Sequence, residues 1–206
     1  MWALPSSAPA PILPLPRERT VDQSAGHCSA GRRLAMTRVF VAAGSNVDAV
    51  RNLRLAAHEM LRCFGKVDFS PAYRNAAVGF EGEDFINYVA GFDTPRGVDE
   101  VINELQRIEG LCGRARDAPK WAPRSMDLDI LLYGDLVIDR PGLVLPRPDL
   151  LRRPYMLGPL ADLAGELVHP TAGESIAALW ARFDHAAHAM TRVDLALADS
   201  GSAEAR

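Results

Sequence analysis

From Arg38 onward the chain falls into blocks whose apolar spacing changes period. Val39–Ala43 is a continuous apolar run and predicts a short strand. Gly44-Ser45-Asn46 turns the chain, and Asp48 is expected to cap a helix. Val50, Leu53, Ala57, Leu61 and Phe64 then recur at helical spacing until Gly65 ends the element. Residues 66–75 and 85–93 read as two strands joined by the Gly-rich segment VGFEGED. Thr94-Pro95 fits the entry of a second helix, with Val98, Val101, Ile102, Leu105 and Ile108 as its buried stripe. A strand over 126–133 follows. Residues 135–170, rich in Pro and Arg, predict loops folded over a site, and a last helix is expected at about 174–189. The order β-α-β-β-α-β predicts an α+β, ferredoxin-like sandwich: an antiparallel sheet with helices on one face.

The ends differ from this pattern. Five prolines, Pro5, Pro9, Pro11, Pro14 and Pro16, crowd the start and break up any signal-peptide core. Residues 1–35 are therefore expected to be a disordered extension. Met36 is a candidate start, because MTRVFVAAGSN opens a regular domain at once. Residues 195–206 read as a frayed tail, which leaves 36–194 as the domain.

Composition narrows the classes. A net charge of −3, with 48% hydrophobic and 24% charged residues, is a soluble profile that disfavours a general nucleic-acid or anionic-membrane surface. No apolar run is long enough to cross a membrane. Three cysteines without paired spacing indicate neither a disulfide framework nor a zinc site, and a reducing cytoplasm is the expected compartment. The five histidines show no metal-ligand spacing, and His58 is expected to be structural within its helix.

The chemistry concentrates in WAPRSMDLDILLYG, residues 121–134. Strand alternation puts Asp127, Asp129 and Tyr133 on one face, and Met126, Leu128, Ile130 and Leu132 on the other. Two like charges roughly 7 Å apart on one strand face call for a cation. Leu131 and Leu132 exclude an EF-hand loop, and hard oxygen ligands favour magnesium over zinc. Magnesium held by few carboxylates takes other ligands from substrate phosphates, which points to a nucleoside triphosphate. Just upstream, Arg114, Arg116, Lys120 and Arg124 form a basic loop with Gly113 as a hinge. Guanidinium forks suit polyphosphate, and the loop 113–124 is expected to be mobile and to close over it. Trp121 in that loop offers a stacking surface, and Phe85 with Asn87 offers one aromatic face and one amide on a shared strand face, suited to a pterin or purine edge. Arg147, Arg152, Arg153 and Tyr155 add further cations and a ring.

These pieces resemble a known family. VAAGSN (41–46), AYRN (72–75), DFINYV (84–89), QRIEGLCGRAR (106–116), WAPRSMDLDILLYGD (121–135) and LPRPDLLRRPYMLGPL (145–160) are similar to segments of 6-hydroxymethyl-7,8-dihydropterin pyrophosphokinases of the folate pathway. The resemblance implies transfer of the β,γ-pyrophosphate of ATP to the 6-hydroxymethyl group of the dihydropterin, leaving AMP. It implies that Asp127 and Asp129 hold two magnesium ions. Arg114 and Arg124 would neutralise the transferred phosphates, with Arg116 closing in. Gln106, Glu109, Trp121, Ile130, Arg147 and Arg153 would complete the ATP site. Asn87 would read the pterin edge, Trp121 and Tyr155 would bracket the ring, and Asn75, Val78 and Phe85 would line its pocket. A monomer acting on these two small molecules, with no nucleic-acid or membrane partner, is expected.

Three positions depart from the family pattern. Asn75-Ala76 stands where Thr-Pro is usual, Arg147 replaces the His of an L-P-H-P motif, and Asp117 stands where a basic residue is common. A paralogue acting on another pterin is the alternative that these departures raise. Nucleotidyl transfer is another, because such enzymes pair a Gly-Ser turn with a later D-x-D strand; here the long chain separation of Gly44-Ser45 from Asp127 counts against it. A ferredoxin-like sheet that binds RNA is a third, disfavoured by the two acids on the face and the negative charge.

Overall fold

In the computed structural model, residues 35–76, 83–113, 125–184 and 189–197 are described. The chain runs through β1 (Thr37–Ser45), α1 (Ala49–Phe64), β2 (Val67–Phe69), β3 (Ala72–Asn75), β4 (Phe85–Thr94), α2 (Val98–Leu111) and β5 (Asp127–Tyr133). A hairpin of β6 (Ile138–Arg140) and β7 (Leu143–Leu145) follows, then a 3-10 turn at Pro148–Leu151, α3 (Pro154–Ala164), α4 (Ile176–Ala181) and β8 (Thr191–Val193). The sheet order is β5-β1-β4-β3-β8, with β2 also on β4, and every pairing is antiparallel. With β2 and β3 counted as one interrupted strand, this is the ferredoxin-like arrangement, extended by β8.

The expected strand over 66–75 is split at Ser70-Pro71. Proline cannot donate to a ladder, and Ser70 bridges the gap with its backbone N–H to Val89 O and its Oγ accepting from Val89 N–H, both at 2.9 Å. The second helix starts at Val98 rather than at Thr94-Pro95, because Thr94 still belongs to β4. Glu100 sets the real start by accepting the Gly97 N–H at 2.7 Å. Asp48 sits at the N-cap of α1 but in the left-handed region, φ 43°, and its side chain makes no cap bond. Gly65, at φ 78°, ends α1 as expected. Leu53, Ala57 and Met60 are buried, whereas Val50 faces solvent.

Helices cover both faces of the sheet, not one. Val39, Val41 and Ala43 of β1 pack with Leu53, Met60, Val101, Leu105 and Ile108 of α1 and α2. Phe40 and Ala42 point the other way, into a second core with Val89, Leu150, Leu157, Leu160 and Ile176. A strand apolar at every position must be buried on both sides. Part of the segment expected to be loops is therefore the helix α3. Pro154 opens α3, where a missing N–H costs nothing. Pro159 is tolerated inside it because Met156, Leu157 and Leu160 are buried around it. The last helix is only Ile176–Ala181. At the start of the expected tail, beside β8, which pairs with β3, Leu195 and Leu197 are buried and Arg54 Nε donates to Leu195 O at 3.0 Å; residues 198–206 lie outside the described residues.

Between α1 and α2, Glu59 accepts from Arg62 and from Arg107, each at 2.7 Å, and Arg107 also reaches Glu104 at 2.8 Å. The hydrogen bonds from Arg62 and then Arg107 hold the Glu59 carboxyl down to about 2. Cys63 lies in the same cluster, its thiol pushed up by burial. Cys63 and Cys112 are both free thiols. His58 is exposed. Among the described residues, no helix is long and apolar enough to cross a membrane.

Candidate active site

The acid strand β5 is the sheet edge, paired only with β1 among the described residues. Asp127 lies opposite Gly44 and Asp129 opposite Ala42, both half-buried, while Leu128 and Ile130 enter the α1–α2 core. The predicted alternation holds up to Ile130 and then breaks. Phe40 pairs with Leu132 but Val41 with Ile130, so Leu131 is an extra residue, a bulge. Leu132 therefore joins the core on the acid face, and Tyr133 turns to the helix face, where its hydroxyl donates to Arg96 O. Tyr133 is thus not a neighbour of the two acids across the strand face.

Glu109 fixes the strand from outside. It is buried near the end of α2, and its Oε1 accepts the Leu128 N–H, between the two aspartates, at 2.8 Å. Beside it opens a cavity of about 230 Å³ lined by Leu105, Gln106, Glu109, Asp127, Asp129, Ile130 and Arg147. Six residues predicted for the nucleotide and metal site, Gln106, Glu109, Asp127, Asp129, Ile130 and Arg147, are brought together there from three separate segments. Arg147 reaches the acid pair directly, with Nη1 at 3.1 Å from Asp129 Oδ1 and Nη2 at 3.8 Å from Asp149. Its backbone N–H donates to Leu131 O at 2.9 Å, at the bulge itself. Its Nε is buried without a partner among the described residues. A larger hollow of about 840 Å³ lies between β2–β3 and residues 192–197. It holds none of the predicted residues and no cluster of acids, so size alone does not make it a site.

The same sheet face continues from the acids toward β3. In the register, Gly44 lies between Asp127 on one side and Asn87 on the other. A Cβ at Gly44 would stand 2.5 Å from Asn87 Oδ1, so only glycine leaves room for that amide. Asn87 pairs with Tyr73, and Phe85 with Asn75, which confirms the shared face of Phe85 and Asn87. Asn87 Nδ2 donates to Asn75 Oδ1 at 2.6 Å. Tyr73 donates its hydroxyl to Asp162 of α3 at 2.5 Å; burial, then that carboxylate, pushes the phenol up to about 12, so it stays neutral. Tyr155, in the first turn of α3, packs on the core of this face. Arg153, at the N-cap of α3, is exposed. Val78, Arg114, Arg116, Trp121 and Arg124 lie outside the described residues, as do Asp117 and most of the expected mobile loop.

The turn Gly44-Ser45-Asn46 does more than reverse the chain. Ser45 Oγ donates to Ser125 O at 2.7 Å, which ties β1 to the entry of β5, and Asn46 Nδ2 reaches Glu83 O at 3.5 Å, before β4. The signal was present as VAAGSN, but a short Gly-Ser-Asn string marks a turn far more often than a clamp. The contact also removes the argument from chain separation, since Gly44 is directly opposite Asp127 in space.

The donor set suits magnesium in one particular way. Two half-buried carboxylates face a cavity, yet among the described residues no group of three or more His, Cys, Asp or Glu could hold a metal ion alone. A hard cation completed by phosphate and water fits such a set, whereas a closed protein cage does not.

Known proteins resemble this chain in sequence and in fold. The family model for 7,8-dihydro-6-hydroxymethylpterin-pyrophosphokinase matches residues 40–165. The chain is 40% identical over 137 residues to the 2-amino-4-hydroxy-6-hydroxymethyldihydropteridine pyrophosphokinase of Pseudomonas aeruginosa, covering 65% of this chain and 84% of that one. It is 35% identical over 141 residues to the protein of the same name from Haemophilus influenzae, covering 66% and 88%. A folic acid synthesis protein of Pneumocystis carinii is 32% identical over 170 residues, covering 82% of this chain, but the chain spans only 21% of that protein. Among solved structures, a Plasmodium falciparum HPPK-DHPS protein superposes with a TM-score of 0.61 at 14% identity, over 74% of this chain and 46% of that one, a likeness of fold. The family model spans the acid strand, Glu109 and the asparagine face, and the chain belongs to the 7,8-dihydro-6-hydroxymethylpterin pyrophosphokinase family.

Proposed function

We infer that this chain transfers the β,γ-pyrophosphoryl group of ATP to the hydroxymethyl oxygen of 6-hydroxymethyl-7,8-dihydropterin, giving AMP and the pterin diphosphate for tetrahydrofolate synthesis. The observation that carries this reading is one row across three strands, Asn87, Gly44 and Asp127, with Asp129 two residues further along β5. An amide suited to a heterocycle edge and a carboxylate pair suited to a metal–phosphate group stand side by side on one face, the spacing that a transfer between two bound substrates needs.

Asp127 and Asp129 would hold two magnesium ions, which when bound supply charge neutralisation for the triphosphate and acidify the attacking hydroxyl. Gln106, Glu109 and Ile130 border the nucleotide cavity. Arg147, which pairs with Asp129 in the structure, would turn its guanidinium to phosphate with the metal ions bound. Asn87, with Gly44 leaving space, orients the pterin, flanked by Phe85 and Tyr155. Arg114, Arg116, Arg124 and Trp121, which lie outside the described residues, would close the site from the loop 113–124, and Arg153 would add positive charge at its rim.

The direct test is to incubate the protein with ATP, magnesium and 6-hydroxymethyl-7,8-dihydropterin and to identify both products. AMP with a pterin diphosphate is expected, and release of ADP would sink the reading. Because Gly44-Ser45 does approach Asp127, nucleotidyl transfer is set aside on family membership rather than on chain separation. Transfer of AMP to an acceptor would restore it.

A further inference from the structure

Asn87 is 6% exposed, yet its Oδ1 has no hydrogen-bond partner among the described residues. That oxygen sits over the bare Cα of Gly44, on the face shared with Asp127. With Nδ2 taken by Asn75, the oxygen is the end of the amide left open to a ligand.

Which end of the amide lies there is decided by a chain of bonds that starts at a backbone carbonyl. Ala76 O can only accept. Asn75 Nδ2 donates to it at 3.1 Å, which directs Asn75 Oδ1 toward β4. Asn75 Oδ1 can only accept, so Asn87 must present Nδ2 to it, and does so at 2.6 Å. The Asn87 carbonyl oxygen is then the group left over Gly44.

Resting on the pterin reading above, we propose that Asn75 is a specificity-determining positioning residue: it locks the Asn87 amide so that an acceptor, not a donor, meets the heterocycle. The ring selected is one that offers N–H groups at that edge, as the 2-amino-4-oxo edge of a pterin does. A 2,4-dioxo ring keeps N3–H but carries a carbonyl in place of the 2-amino group, so it loses that donor, sets oxygen against oxygen there and binds more weakly. Freed from Asn75, the Asn87 amide can turn over and accept either ring, so the selectivity is lost rather than the fold.

The experiment measures binding of 6-hydroxymethylpterin and of 6-hydroxymethyllumazine, its 2-oxo counterpart, by calorimetry on the full chain with magnesium and a non-hydrolysable ATP analogue. The unaltered protein should prefer the pterin by at least ~10-fold, the scale of one buried polar mismatch. Asn75→Leu should shrink that ratio to about 1–3, within the worth of the lost orientation. Asn75→Asp, which keeps an acceptor toward Asn87, should restore most of it. Nucleotide-analogue binding by Asn75→Leu, read without pterin, reports an intact fold. An unchanged pterin-to-lumazine ratio in Asn75→Leu would overturn the relay while leaving the pterin reading in place. Failure of the unaltered protein to bind the pterin at all would overturn both.

Discussion

Glu109 is the support on which the acid strand rests, and removing it gives the sharpest test of how the site is built. β5 is an edge strand, so its outward amides lack a neighbouring strand. The Leu128 N–H, between Asp127 and Asp129, is satisfied instead by Glu109 Oε1 at 2.8 Å. A hydrogen bond to a charged acceptor contributes about 1.5–3 kcal/mol, and an orphaned buried amide costs about 1–3 kcal/mol. These overlap, because both describe the loss of one bond. The adjoining cavity of about 230 Å³ can admit water to the freed amide, which places the cost toward the lower end. Glu109→Ala should therefore lose about 2 kcal/mol, or ~4–8 °C in Tm for a domain of this size. Glu109→Gln keeps an acceptor oxygen and should lose only about 0.5–1 kcal/mol. Urea unfolding followed by circular dichroism measures both, and manganese titration with an ATP analogue should show weaker binding in the alanine variant. Stability of Glu109→Ala within ~0.5 kcal/mol of the unaltered protein, the range of neutral surface changes, would refute this account of the strand. So would an equal loss in the glutamine variant.

Asp127→Asn and Asp129→Asn should each cut turnover by more than ~10³-fold if the carboxylates anchor the metal–phosphate group; manganese binding read by electron paramagnetic resonance should fall with it, and wild-type affinity in either variant would remove the metal assignment. Gly44→Ala should weaken pterin binding by at least ~10-fold with little effect on the nucleotide, because its Cβ would lie 2.5 Å from Asn87 Oδ1; calorimetry with each ligand separates the two. The Glu59 carboxyl is held at about 2 against an ordinary 4.5, so its stabilising contribution is complete above 4.5 and is lost as pH falls toward 2. The urea midpoint should drop across that window, and Glu59→Gln should flatten the slope; parallel curves would show that the Arg62–Glu59–Arg107 cluster is not its source.

Much of the framework is written in local pattern. The two core-facing stripes of α1 and α2, the apolar β1 and the acid pair on β5 are each visible within about ten residues, because helix and strand periods are local properties. So is the family's long acid-strand segment. Where a residue's partner is distant, the reading erred. Asp48 looked like a cap but takes a left-handed backbone, and Thr94-Pro95 looked like a helix entry but finishes a strand. The loops of 135–170 conceal α3, which is helical because the second sheet face needs a cover, a demand that no local pattern states. Leu195 and Leu197 seemed frayed but are packed beneath β3's new neighbour.

At the site itself, the sequence determined which residues carry charge and which elements hold them. Tertiary structure decided their relations. The bulge at Leu131 shifts the alternation by one, so it reassigns Leu132 and Tyr133 without altering a letter of the pattern. Arg147, expected against a nucleotide, is paired with Asp129, and Glu109, expected to line the ATP site, is bonded to the acid strand. Gly44 and Ser45, distant from Asp127 in the chain, lie against the acid strand because β1 pairs with β5. The polarity of the Asn87 amide is set by Asn75 and Ala76 on another strand and its end. Residue type limits what a side chain can donate or accept, but only the folded neighbours determine which of those bonds are used, and so which remain for a substrate.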